Sequence, residues 1–336
     1  MRKIKIGQIG IAHDHASVTF KSLLDQSDIF EVVGYCIVEG DDCNCEKLTK
    51  LDPIYKQSKC MSLEELLATP GLEAVTIETV DWMLTKYAQI AVDRGLAVHM
   101  DKPGNQDHQA YIKLMETCKQ KGTPMQVGYM YRYNPMIKEV IRAAKAGELG
   151  EIYCVETHMD CEHPADKRQW LANFKGGMMY FLGCHLVDLI LQIQGEPEEI
   201  LPLNTCSGFD GVTGEDFGMA VFKYKNGYSF AKTTAVEPGG FLRRTMVVCG
   251  SKKTVELHPL EQYVENGILV TKKRECIPDQ GWNTEGSFST SEPINRYDTM
   301  LREFAAMARG EMTSPYSLDY EIKLHEILLK ACGAEV

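Results

Sequence analysis

Short β-branched runs alternate with helical repeats over the first 128 residues. Lys3 to Ile9 reads as a strand, a helix follows from about His15 to Asp25, and Glu31 to Val38 is a second strand. Ser62-x-x-Glu65 is a capping box, and Leu63, Leu66 and Leu67 behind it recur at helical spacing, so a short helix starts there. Leu72 to Glu78 and Leu96 to Met100 are strands. Between them Tyr87, Ile90 and Ala91 share a helical face that Gly95 closes. A helix from about Asp107 to Lys121 and a strand from Met125 to Gly128 complete the alternation. Such repetition implies a parallel sheet covered on both faces, hence an α/β fold.

After Tyr129 the pattern changes. Pro135 stands at the first helical position, Met136, Ile137, Val140, Ile141 and Ala144 share one face, and Gly147 ends the helix. Longer alternating runs then dominate at Ile152–Met159, Phe217–Tyr224, Tyr228–Ala235, Thr245–Val248 and Ile268–Lys272. Lys225-Asn226-Gly227 and Glu265-Asn266-Gly267 are hairpin turns between several of them, so this second part is a largely antiparallel sheet. Two helical patterns, roughly Ile294–Arg309 and Leu318–Cys332, close the chain. The reading is two domains, residues 1–128 and 129–336, with closing helices that return to the first.

Composition excludes several classes. A net charge of −11 and a pI near 5.4 leave no basic stripe, which speaks against nucleic acid or an anionic membrane as partner. The start, Met1 to Gly10, runs straight into a strand with no leader-like apolar segment, and no apolar run reaches about 18 residues. Twelve cysteines are scattered without a C-x-x-C pair, which suits free thiols in a reducing, cytoplasmic setting; Cys43 and Cys45 read as a surface-loop pair.

Four stretches carry candidate chemistry. The first strand leads into Gly7-Gln8-Ile9-Gly10-Ile11-Ala12-His13-Asp14-His15, where a dinucleotide site wants G-x-G-x-x-G so that pyrophosphate can approach a helix N-terminus. Only Gly10 and Ala12 fit, and the stretch is equally an ordinary strand–helix turn; His13 and His15 are phosphate hydrogen-bonders or solvated polar residues. Glu39, past the second strand, is the candidate for a ribose carboxylate, and no cation stands there for a 2′-phosphate, which favours NAD over NADP. Thr79, after another strand, joins this cofactor set. In Asp101-Lys102-Pro103-Gly104 a lysine leaves the carboxyl end of a parallel strand, where a cation can stabilise a developing alkoxide. In Gly183-Cys184-His185-Leu186-Val187-Asp188 the imidazole of His185 titrates in the range a general base needs, and Asp188 lies on the same helix face. His158, Asp160 and Glu162 line one strand face and read as a polar substrate cleft or plain surface, not a metal site; no metal is expected.

These pieces in this order resemble the Gfo/Idh/MocA family of oxidoreductases over the whole chain, through Asp101-Lys102-Pro103, Arg132-Tyr133-Asn134-Pro135 and Gly183-x-His185-x-x-Asp188. The resemblance implies an N-terminal Rossmann domain, a C-terminal domain with an open sheet, a nicotinamide cofactor and a sugar, glycoside or inositol substrate. It implies that Lys102 orients the substrate and shares its proton, that His185 is the acid/base, and that Arg132 and Trp170 lie near cofactor or substrate. Tyr131, His158, Asp160, Phe181 and Asp188 join the expected substrate set. A homodimer or homotetramer through the open sheet is a further expectation. Two departures stand out: the glycine loop is depleted, and Phe181 replaces the aspartate that the family carries four residues before the histidine. An aromatic there can stack on a sugar face, and Asp160 or Glu162 can stand in for the missing acid. Beside hydride transfer, the alternatives are NAD-retaining, redox-assisted glycoside cleavage and a non-catalytic sugar- or nucleotide-sensing protein.

Overall fold

The computed structural model describes residues 2–41, 53–265, 267–278 and 281–336. Cys43 and Cys45 lie outside them. The chain forms two compact units: residues up to Tyr129 with Tyr297–Lys323, and Met130–Arg296 with Leu324–Val336.

The first unit is built on six strands, β1 (Ile4–Ile9), β2 (Phe30–Cys36), β3 (Cys60–Met61), β4 (Ala74–Ile77), β5 (Ala97–Met100) and β6 (Met125–Val127). Helices α1 (Ala16–Asp25), α2 (Pro53–Lys56), α3 (Leu63–Leu67), α4 (Leu84–Asp93) and α5 (His108–Lys121) connect them. All pairs are parallel and the order is β3-β2-β1-β4-β5-β6. This is the doubly wound, Rossmann-type order, whose direction reverses between β1 and β4 and opens a crevice beyond their carboxyl ends. β4 and β5 are buried at every position, as strands with both faces covered must be. The capping box of α3 is present in full, Ser62 Oγ accepting the Glu65 amide and Glu65 accepting the Ser62 amide. Ile4, Ile6, Phe20, Leu23, Phe30 and Tyr35 make one apolar core with Leu301, Phe304 and Ala305 of a late helix, Asp298–Ala308, so this helix returns to the first unit. It begins later than the pattern from Ile294 suggests, because Ile294 pairs as a strand with Leu269 and the helix starts only after Tyr297.

The second unit opens with α6 (Pro135–Lys145). Asn134 caps it, its Oδ1 accepting the amides of Met136 and Ile137 at 3.0 and 3.2 Å. There follow β7 (Ile152–His158), α7 (Ala165–Trp170), one π-helical turn at Met179–Gly183 and α8 (Cys184–Gln194). Strands β8 (Glu199–Pro202), β9 (Phe217–Tyr224), β10 (Gly227–Thr234), β11 (Thr245–Gly250), β12 (Thr254–Leu257), β13 (Gln262–Glu265), β14 (Ile268–Val270), β15 (Lys272–Cys276), β16 (Ser287–Thr290) and β17 (Ile294–Asn295) complete it. Eight of them form one sheet, β16-β15-β12-β11-β7-β10-β9-β8, antiparallel except for the β7–β10 pair. Tyr224 pairs with Gly227, so Lys225 and Asn226 are the predicted two-residue turn. The run Ile268–Lys272 is not one strand: Thr271 donates its amide to Ser291 Oγ and its hydroxyl to the Leu260 carbonyl, which breaks the ladder and sends β14 and β15 to different sheets. Val155 and Thr157 of β7 are buried on the side that α8 covers, while Cys154, Glu156 and His158 alternate onto the half-exposed side.

Candidate active site

In the first unit the loop after β1 turns at Gly10, whose φ of +84° suits glycine. A Cβ there would lie 2.6 Å from Thr79 Cγ2 and 2.7 Å from its Cα and N, so the turn is seated on the segment after β4. Gly10 and Thr79, both expected in the cofactor set, lie side by side at the strand reversal. Glu39 behaves differently: it is exposed and ion-paired with Lys86 at 2.6 Å. The carboxylate that faces the glycine turn is Asp41, which the sequence reading missed. It is fully buried, and its Oδ2 accepts the Val38 amide at 2.8 Å while both oxygens lie 3.3 Å from the Ile11 amide. Only its place a few residues past β2 signalled it.

His13 is not solvated, and His15 is only partly exposed. His13 is buried, and its Nδ1 and that of His15 both lie 2.9 Å from Asp101 Oδ2; the His13 Nε2 lies 3.7 Å from Asp81 and its Nδ1 3.8 Å from Glu78. Burial alone would lower the His13 imidazole, but the charges of Asp101 and Asp81 outweigh it and raise its pKa to about 10. Burial lowers His15, with Asp101 opposing. Burial works against ionised Asp101 as well, yet the neighbouring histidines hold it well below the usual carboxylate range. Burial, then the charge of Asp101, pushes Glu78 far up. Asp101 Oδ1 in turn accepts the Lys102 amide at 2.7 Å, and Lys102 is fully buried at the carboxyl end of β5. Ala12 is buried in the same loop.

In the second unit His185 sits in the first turn of α8, directly after the π turn that carries Phe181; such single π turns often mark functional sites. The Tyr131 ring meets the His185 imidazole edge-on at 5.5 Å, and its hydroxyl donates to Glu261 at 3.0 Å. Burial and the Glu261 charge push the Tyr131 hydroxyl pKa up. Glu261 is held by Arg244 at 2.9 Å and Arg296 at 2.7 Å. Arg132 and Asp188 form a buried bidentate pair at 3.0 and 2.9 Å, with Gln192 donating to the same carboxylate at 2.8 Å. Phe181 packs edge-on to Trp170 at 5.5 Å, and the Lys167 ammonium lies 3.7 Å from the Trp170 ring centre and 4.5 Å from that of Phe181. Asp160 meets Lys232 at 3.0 Å; burial raises its carboxyl and Lys232 opposes this. Burial, then the Lys232 charge, lowers His158. This stretch is thus tied to a lysine the sequence did not single out.

The chain thus joins a doubly wound sheet, with a glycine turn at its reversal and a buried strand-end lysine, to a separate sheet unit with a histidine on a π-to-α helix. Residues 137–256 match the model of the GFO/IDH/MocA C-terminal domain. The chain is 24% identical over 279 residues to the uncharacterized oxidoreductase ORF334 of Rhizobium meliloti, covering 80% of this chain and 79% of that protein. It is 28% identical over 170 residues to D-xylose 1-dehydrogenase (NADP(+)) 2 of Haloferax volcanii, covering 49% and 51%. Among solved structures, the WlbA dehydrogenase of Bordetella pertussis in complex with NADH and UDP-GlcNAcA superposes with a TM-score of 0.75 at 18% identity, over 100% of this chain and 98% of that one. The matched C-terminal domain model and these relatives support the Gfo/Idh/MocA family of oxidoreductases for this chain. Among the described residues no helix is long and apolar enough to cross a membrane.

Proposed function

We propose that this protein is a nicotinamide-dependent dehydrogenase of a secondary hydroxyl on a sugar, glycoside or inositol. The observation that carries the reading is Lys102, an ammonium with no exposed surface at the carboxyl end of a parallel strand. Lysine is almost never fully buried unless its charge is met, and this strand end is the place where open α/β sheets hold their ligands.

The residues at the strand reversal fit a dinucleotide. The Gly10 turn leaves no room for a Cβ, and Asp41 presents a buried carboxylate beside it, suited to a ribose hydroxyl and adverse to a 2′-phosphate. NAD is therefore favoured over NADP, with Asp41 taking the role first assigned to Glu39. A bound nicotinamide supplies the hydride acceptor. By the resemblance, the role of Lys102 is to hydrogen-bond a substrate oxygen and stabilise charge developing on it, and that of His185 is general acid/base. Tyr131 fixes the plane of the His185 ring, and Phe181 with Trp170 offers aromatic surface for a sugar face. Arg132 serves by anchoring Asp188, one turn beyond His185 on α8.

The xylose substrate in the name of the Haloferax enzyme and the NADH and nucleotide sugar in the Bordetella complex support this substrate class. The ten described cysteines are all free, which supports a reducing, cytoplasmic setting. Leu201, Val221, Phe230, Val247 and Phe288 share one cross-strand row on the half-exposed sheet face with Glu156, Glu256 and Arg274, a mixed apolar and charged surface that supports a homodimer or homotetramer.

The test is to denature the purified protein and assay the supernatant for NAD(H) and NADP(H), then to follow nicotinamide absorbance with a panel of sugars, glycosides and inositols. NAD binding, with turnover lost in Lys102→Ala and His185→Ala while binding persists in His185→Ala, is the expected result. Absence of dinucleotide binding at millimolar concentration rules the reading out in favour of a sensor. Tight NAD with product but no net reduction replaces it with redox-assisted cleavage.

A further inference from the structure

Two histidines and an aspartate meet at one point at the carboxyl end of the parallel sheet. The Nδ1 atoms of His13 and His15 both approach the same oxygen, Asp101 Oδ2, at 2.9 Å, and ligand atoms of the three side chains lie within 4.8 Å of one another. Asp101 and the two histidines come from strand ends 86 positions apart in sequence, and within the turn His13 Nδ1 also accepts the His15 amide at 3.2 Å. Bonds of about 2.0–2.1 Å to a tetrahedral ion put neighbouring donors roughly 3.3 Å apart. The two contacts to Asp101 at 2.9 Å need to open by only a few tenths of an ångström to reach that spacing.

The surroundings complete the pattern. Asp101 is oriented by its other oxygen, which accepts the Lys102 amide at 2.7 Å. The far nitrogen of His13 faces Asp81 at 3.7 Å, beyond hydrogen-bond range but on the side from which a carboxylate orients a ligating imidazole. Independently, Glu78 is fully buried 3.8 Å from His13 Nδ1, and neither of its carboxylate oxygens has a hydrogen-bond partner among the described residues. A buried carboxylate without a partner is costly, and a cation beside it removes that cost.

We propose that His13, His15 and Asp101 bind one divalent transition-metal ion, with Asp81 and Glu78 around it. The donor set of two imidazoles and one carboxylate suits zinc, iron(II) or cobalt(II) and leaves a coordination position open. The ion would brace the loop after β1 against the strand end that carries Lys102. This inference goes beyond hydride transfer and stands whether or not that reading holds.

The full-length protein, stripped with a chelator, is titrated with Co²⁺ alone and then with Zn²⁺. One equivalent of Co²⁺ per chain with visible d–d absorption, displaced by Zn²⁺, and a melting temperature raised by Zn²⁺, are the expected results. His15→Ala, at a partly exposed position, weakens binding by roughly tenfold or more, and Asp81→Asn does so by about tenfold. Circular dichroism checks that both variants fold. Uptake that does not saturate at one per chain overturns the proposal. So does uptake unchanged in folded His15→Ala, or uptake lost instead in His158→Ala or Cys249→Ser.

Discussion

The Arg132–Asp188 pair is the sharpest place to test how the second unit holds its histidine. Both side chains are buried, both guanidinium contacts are near 3 Å, and Gln192 adds a third hydrogen bond to the same carboxylate. Asp188→Leu leaves an arginine charge buried without its partner, and the single changes Asp188→Leu and Arg132→Leu are each expected to cost about 3–5 kcal/mol. The double variant removes both charges, so its loss should be much smaller than the sum, with a coupling of several kcal/mol. Urea unfolding followed by tryptophan fluorescence measures the three variants. The same changes free α8 one turn beyond His185 and loosen the segment that sets Tyr131 against that ring, so kcat should fall more than KM rises. Single variants that lose under about 1 kcal/mol, the range of exposed pairs, would refute the reasoning. So would additive losses in the double variant, because a buried desolvated pair cannot behave as two independent side chains.

Three further outcomes follow from particular contacts. Gly10→Ala places a Cβ 2.6–2.7 Å from Thr79 in a backbone with φ +84°; the conformation alone costs about 1–2 kcal/mol, so thermal denaturation should show a clear drop in midpoint and dinucleotide binding should weaken. Asn134→Ala removes the acceptor for two α6 amides and the donor to Thr271, and should cost about 1–2 kcal/mol in urea unfolding. Cys154 and Cys249 face each other across β7 and β11, and a hydrogen bond from Cys154, opposed by burial, lowers the Cys249 thiol to about 7. Because the folded pKa lies below the ordinary 9.0, the associated stability grows as pH rises through 7, is complete above 9 and is absent below 7. Iodoacetamide modification of Cys249 should therefore inflect near pH 7 and move upward in Cys154→Ala; an unmoved inflection contradicts the pairing.

Much of the fold was legible before any coordinates. Alternating β-branched and helical runs announce a parallel sheet up to Tyr129, because a strand buried on both faces has to be apolar at every position. The Asn134-Pro135 helix start and the Lys225-Asn226 hairpin were equally readable, since caps and turns are satisfied by residues two or three positions away. Where a distant group intervenes, local pattern misleads: Ile294 lies in a helical pattern but its backbone pairs with the strand at Leu269, and Thr271 splits one apolar run between two sheets.

The site divides along the same line. Sequence by itself determined the residue types at the ends of β1 and β5, the lysine after Asp101 and the histidine leading α8, because these stand at fixed offsets from local elements. Only tertiary structure decided that Asp41 and not Glu39 faces the glycine turn, that Arg132 grips Asp188, and that His13, His15 and Asp101 close on one point. Periodicity along a chain records which face of an element is buried. It carries no record of which buried group from elsewhere will meet it, and charges and hydrogen bonds buried away from water are settled by that meeting.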